Sequence, residues 1–155
     1  MKRQNGTRTL REDAQTVVDS CGSHLARIAA RQITRFVDQK MRKTDLAIEQ
    51  FTLLAVIASA EDDSLSAIGE AACLDKSTLS RNLRALESKG LVEIAANLRG
   101  SRRRLAWLTE AGARKLEEAM PVWRAANAAL NRHVDLVVTK KIAGEARRLN
   151  RNRSP

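Results

Sequence analysis

The residues best suited to do chemistry run from Lys76 to Ser88, and from Lys76 through Leu86 they include no Asp or Glu. Wound as a helix at about 100° per residue, Leu79, Leu83 and Leu86 fall within about 40° of one direction. Ser77, Arg81, Arg84 and Ser88 fall on the opposite face, Thr78 and Ser80 flank it, and Lys76 opens the helix. Small hydroxyl side chains allow close approach to a surface. Arginine pairs bidentately with guanine edges or holds phosphates, and serine or threonine serves either purpose. A face of that kind suits the major groove of duplex DNA, with the earliest positions reaching deepest. A merely solvated face would mix charge signs.

A second cluster, Arg99, Arg102, Arg103 and Arg104, crowds a turn opened by Asn97 and loosened by Gly100. Like charges this close destabilise a turn unless an anion absorbs them. The expected use is one arginine in a narrow minor groove and the others on phosphates. Weaker candidates lie near the N-terminus. Cys21 precedes His24 and Arg27 by one to two helical turns, which favours a thiolate and makes it a redox candidate. The bland alternative is a small residue at a packing contact. His24, Arg27 and Arg31 share one polar stripe of a helix, read at this point as solvated. Cys73 and the two tryptophans, Trp107 and Trp123, are read as packing residues. No Ser-His-Asp set, metal cluster, phosphate-cradling Gly loop or paired-carboxylate motif is legible. Neither enzymatic activity nor a metal or cofactor is expected.

These residues need elements to carry them. An apolar stripe at helical spacing from about Thr16 to Met41 predicts one long amphipathic helix, with His24, Arg27, Arg31, Arg35 and Asp38 opposite it. A second helix is expected from about Ala47 to Ala60. Ser64 is placed to cap a short third, and Asp75 a fourth over Lys76–Lys89 that Gly90 terminates. Leu91–Ala95 and Arg103–Leu108 read as a β-hairpin. Thr109 caps a helix from Glu110 to about Leu130, which Pro121 should kink or divide. A last helix spans roughly Val134–Leu149. Met1–Arg11 reads as a basic arm without an apolar signal core, and residues 151–155 as a basic tail.

The chain has 155 residues, with 28 Lys and Arg against 18 Asp and Glu, a formal net charge of +10. That balance points to a polyanionic partner. Tyrosine is absent and only two Phe and two Trp occur, which disfavours stacking-based RNA or single-strand binding. No apolar run has the length of a bilayer span. A cytoplasmic protein with no membrane partner is expected.

Four segments together resemble the MarR family of bacterial regulators. They are Ile48-Glu49-Gln50-Phe51, Leu74-Asp75-Lys76-Ser77-Thr78-Leu79-Ser80-Arg81, Leu86-Glu87-Ser88-Lys89-Gly90-Leu91-Val92 and Leu108-Thr109-Glu110-Ala111-Gly112. The resemblance covers about residues 16 to 149. It implies a mainly α fold with a small β-hairpin wing: a winged helix-turn-helix plus a helical dimerisation region, within one domain. The implied division is dimerisation helices at 12–46 and 110–150 and a DNA-binding lobe at 47–109. The implied function is a homodimeric transcriptional regulator, expected to be a repressor, on a palindromic double-stranded operator, with release by a small aromatic or anionic effector. The effector would lie in a cleft that His24, Arg27 and Arg31 would face, the bland alternative being a solvated or dimer-facing stripe. The alternatives are an oxidant sensor acting through Cys21 and a non-specific basic nucleic-acid-binding protein. By alignment on Leu108-Thr109 the family's minor-groove arginine is Arg102. The aspartate that usually braces it is replaced by Gly100. Ala47 stands where the second helix usually has a threonine cap, which leaves Asp45 as the candidate cap. The family's second N-terminal cysteine position holds Ser23.

Overall fold

The computed structural model describes residues 9–96 and 103–151, the side chains of 150 and 151 excepted. The chain divides into two compact units, Met1–Phe36 and Val37–Pro155.

In the first unit, α1 spans Leu10–Ser20. Thr9 caps it through a reciprocal pair: the Glu12 N–H donates to Thr9 Oγ1 at 3.3 Å, and the Thr9 N–H donates to Glu12 Oε2 at 2.8 Å. Leu10 and Arg11 are therefore helical, not part of a loose arm. The expected single helix is two, because α2 begins afresh at Gly22 and runs to Met41. Cys21 between them is extended (φ −71°, ψ 106°). The run Ser20-Cys21-Gly22-Ser23 has low helix propensity, and the Ser20 hydroxyl turns back onto the Thr16 carbonyl. An apolar stripe continued across this break and hid it.

In the second unit the last turn of α2 buries Val37 and Met41. A 3-10 turn, Arg42–Thr44, leads to α3, Ile48–Ser59, which buries Phe51, Leu53, Leu54 and Ile57. Asp45 does not cap α3. It takes the left-handed conformation (φ 55°) and closes the 3-10 turn. The cap comes from Asp38, ten residues back, whose Oδ1 accepts the Ile48 N–H at 2.6 Å. α4, Leu65–Ala72, has Ser64 as its cap, and α5, Lys76–Ser88, has Asp75. Gly90, at φ +70°, turns the chain out of α5, a conformation glycine takes without a Cβ penalty.

β1, Val92–Ala96, pairs antiparallel with β2, Arg104–Leu108, in the register Val92↔Leu108 to Ala96↔Arg104. Leu91 stays outside the strand because its N–H bonds the Leu86 carbonyl and its own carbonyl accepts from Thr109. A bridge between Ser64 and Leu105, with the Ala106 N–H on the Asp63 carbonyl at 2.9 Å, ties β2 to the α3–α4 connection.

α6, Glu110–Leu130, is not divided at Pro121. Ala119 before the proline and Ala126 and Ala129 after it are buried, so packing on both sides holds the helix across the missing hydrogen bond. Phe51 of α3 stacks on Trp123 of α6, centroids 5.8 Å apart. α7, Leu136–Arg151, starts after Val134 because the Asp135 carboxylate accepts the Val137 N–H at 2.7 Å. Its end at Arg151 takes in the first residue of the expected tail. The order α3–α4–α5–hairpin is a winged helix-turn-helix, with Leu83, Leu86, Ile68, Leu54 and Val92 among its most buried side chains.

Candidate nucleic-acid interface

α5 owes its position to its leucines. Leu79, Leu83 and Leu86 are buried, and their burial fixes which face is left outside. Ser77, Arg81, Arg84 and Ser88 are exposed on it, Lys76 is exposed at the start of the helix, and Thr78 and Ser80 are half-buried at the margins of that face. The helix starts at Asp75, whose carboxylate is fully engaged. Its Oδ1 accepts the Ser77 N–H at 2.9 Å, the Thr78 N–H at 3.0 Å and the Ser77 hydroxyl at 2.6 Å. Its Oδ2 accepts the Thr78 hydroxyl at 2.7 Å. The Ser77 hydroxyl first, and the Thr78 N–H next, hold the Asp75 carboxyl well below the usual carboxylate range. At the other end of the helix the Ser88 hydroxyl donates to the Ala85 carbonyl. Lys89 donates to the Asp45 carbonyl at 3.0 Å, tying the end of α5 to the turn before α3.

The hairpin brings a second set of cations to the same side. Arg104 of β2 shares the rim of one cleft with Lys76, Ser80 and Arg84 of α5; its floor is Leu65, Leu79, Leu83 and Ile94, and its volume is 360 Å³. Arg103 is exposed and lies close enough to Asp62 for its charge to help lower that carboxyl, behind the larger effect of the Ser64 N–H, which donates to Asp62 at 2.8 Å. The α3–α4 connection thus supplies an acid beside the wing. Arg99 and Arg102 lie outside the described residues.

The N-terminal candidates occupy the other unit. Cys21 sits immediately before α2, and its carbonyl accepts the Leu25 N–H, the first bond of that helix. The Ser23 hydroxyl, 3.2 Å from Sγ, is the main cause of a lowered thiol pKa, followed by the His24 N–H, with the Arg27 charge last. His24 is half-buried, and Arg27 and Arg31 are exposed, one and two turns further along α2. Cys73 is exposed and ends α4 in the left-handed conformation, φ 55°. Among the described residues, no group of three His, Cys, Asp or Glu side chains can hold a metal ion, and no helix is long and apolar enough to cross a membrane.

Sequence reasoning missed four contacts that position this surface. The hydroxyls of Ser77 and Thr78 both face Asp75, and the spacing 75, 77, 78 carries that signal. Asp38 as the cap of α3 and Lys89 as the anchor to Asp45 have no local signature.

A family model described as MarR family matches residues 44–103. Two crystal structures of the M. tuberculosis transcriptional regulator MosR resemble the chain over most of its length. One, in complex with DNA, is 29% identical, with 87% of this chain and 100% of that chain covered and a TM-score of 0.77. The other is 30% identical, with 86% and 98% covered and a TM-score of 0.74. The Escherichia coli transcriptional regulator HosA is 35% identical over 78 residues, which is 50% of this chain and 58% of HosA. The chain therefore spans little more than half the length of that curated relative.

Proposed function

The chain belongs to the MarR family of transcriptional regulators, and on that premise we propose that it binds double-stranded DNA sequence-specifically, as a homodimer on a palindromic operator, and represses transcription. The observation that carries this reading is α5: three buried leucines present an opposite face of Ser77, Arg81, Arg84 and Ser88, with Lys76 exposed at the helix start and no acid from Lys76 to Leu86. The basic hairpin stands beside that face. α5 enters the major groove, and the wing arginines, Arg99, Arg102, Arg103 and Arg104, reach the minor groove and phosphates. The structure of MosR with DNA supports the reading.

Residues 12–46 and 110–150 serve dimerisation in this account. α7 buries none of its described side chains, and Val137 and Leu149 are each 73% exposed. Apolar surface of this kind calls for a partner. A small aromatic or anionic effector releases the DNA, with His24, Arg27 and Arg31 as its contacts. A second reading makes Cys21 an oxidant sensor; its lowered thiol pKa and the Ser23 contact favour it. Neither reading gives the chain an enzymatic role.

A gel-shift with a duplex recovered by selection from a random library tests the function. Wild type should retain the duplex at physiological salt, and Arg81→Ala with Arg84→Ala should lose it. Retention by the double variant would remove α5 from the interface.

A further inference from the structure

We infer that Asp75 fixes the hydrogen-bonding sense of the reading helix, so that Ser77 and Thr78 meet DNA only as acceptors and select adenine or cytosine edges. The inference rests on the DNA-binding reading above and sharpens it. An ionised carboxylate accepts hydrogen bonds and cannot donate them. Asp75 Oδ1 lies 2.6 Å from Ser77 Oγ, and Oδ2 lies 2.7 Å from Thr78 Oγ1. Both hydroxyl protons are therefore committed to Asp75. A hydroxyl has one proton and two lone pairs, so each oxygen retains only acceptor capacity toward anything outside.

In the major groove adenine offers the N6 amine and cytosine the N4 amine, whereas guanine and thymine offer only acceptors at the corresponding edge. An acceptor-only hydroxyl discriminates between these two classes. A free hydroxyl would rotate to suit either. The same commitment prevents Ser77 and Thr78 from donating to phosphate oxygens. That work falls to Lys76, Arg81 and Arg84, whose groups are donors only. Asp75 thus acts as a positioning residue for base recognition, beyond its service as a helix cap.

The test uses the substitution Asp75→Asn. Asparagine caps a helix as well as aspartate does, so α5 should form, as circular dichroism would verify. The asparagine carbonyl keeps the Ser77 and Thr78 N–H groups, which places its amide at Thr78 Oγ1. The amide donates there and releases the threonine proton toward the groove. Wild type and variant are each taken through selection from a random duplex library, and Ser77→Ala and Thr78→Val assign which base each hydroxyl faces. Wild type should select adenine or cytosine at both positions. The variant should keep that preference opposite Ser77 and admit guanine or thymine opposite Thr78. A second measurement needs no change at Asp75. Purine in place of the selected adenine, or 2-pyrimidinone in place of cytosine, removes the amine and should weaken wild-type binding about tenfold. Binding by the matching Ser77→Ala or Thr78→Val protein should be insensitive to that replacement. Identical preferences in wild type and Asp75→Asn, or a wild type indifferent to loss of the amine, would overturn the inference while leaving DNA binding intact. Failure of wild type to select any sequence would overturn the DNA-binding reading itself.

Discussion

Arg81 and Arg84 are exposed on a helix whose other side is buried leucine, so their removal should leave the fold alone. Arg81→Ala or Arg84→Ala should weaken specific binding by about 1–3 kcal/mol if a base contact is lost. Footprinting reads the binding, and thermal unfolding confirms an unchanged fold. Arg104, on the rim shared with Lys76 and Arg84, is proposed to contact phosphate. Arg104→Ala should reduce the slope of log affinity against log salt by about 1, with little change in sequence preference. Asp75 makes a prediction about pH. Its folded-state pKa is lowered, chiefly by the Ser77 hydroxyl, so the stability it contributes is complete above about pH 3.9, the ordinary aspartate value, and is lost as pH falls below it. Acid unfolding of wild type should therefore be steeper below about pH 4 than that of Asp75→Asn. Equal slopes would mean that the Asp75 bonds are not held in solution.

Among the elements, those with local punctuation were legible in the sequence. Ser64, Asp75 and Thr109 cap the helices they were expected to cap, and Gly90 takes the positive φ its position demanded. Two of the misses come from interactions across distance. Asp38 reaches Ile48 from another helix, and packing on both sides carries α6 through Pro121. The face of α5 was legible because one period set both its leucines and its cations. The commitment of its two hydroxyls was not read, because spacing alone does not say which way a proton points.

Two element-scale variants follow. A Cβ on Gly112 would run into the Leu91 carbonyl, at the junction where Thr109 Oγ1 donates to the Gly90 carbonyl and accepts the Gly112 N–H. Gly112→Ala should therefore destabilise the protein by at least about 2 kcal/mol, read as a fall in denaturant midpoint. Cys73 holds a left-handed conformation that costs most side chains about 1–2 kcal/mol and asparagine less. Cys73→Asn should raise Tm, and an unchanged or lower Tm would place the strain elsewhere.

At the scale of the molecule, the apolar residues that find no cover lie in both units. Leu10, Val17 and Val18 are exposed in the first, and Val137, Val138, Ile142 and Leu149 in the second. A homodimer buries such surface twice over by symmetry. Light scattering should give twice the chain mass at micromolar concentration. The substitution Val137→Glu with Ile142→Glu should shift the protein to monomer and weaken DNA binding without touching α5. A two-fold dimer places its reading helices about one helical turn of DNA apart, roughly 34 Å. The central claim is that this surface reads sequence and does not merely neutralise phosphate. The measurement closest to it is competition at physiological salt between a selected palindrome and bulk duplex DNA. The account predicts a preference of at least about a thousandfold for the palindrome. Equal competition by bulk DNA would contradict it and leave a basic protein that binds duplexes without regard to sequence.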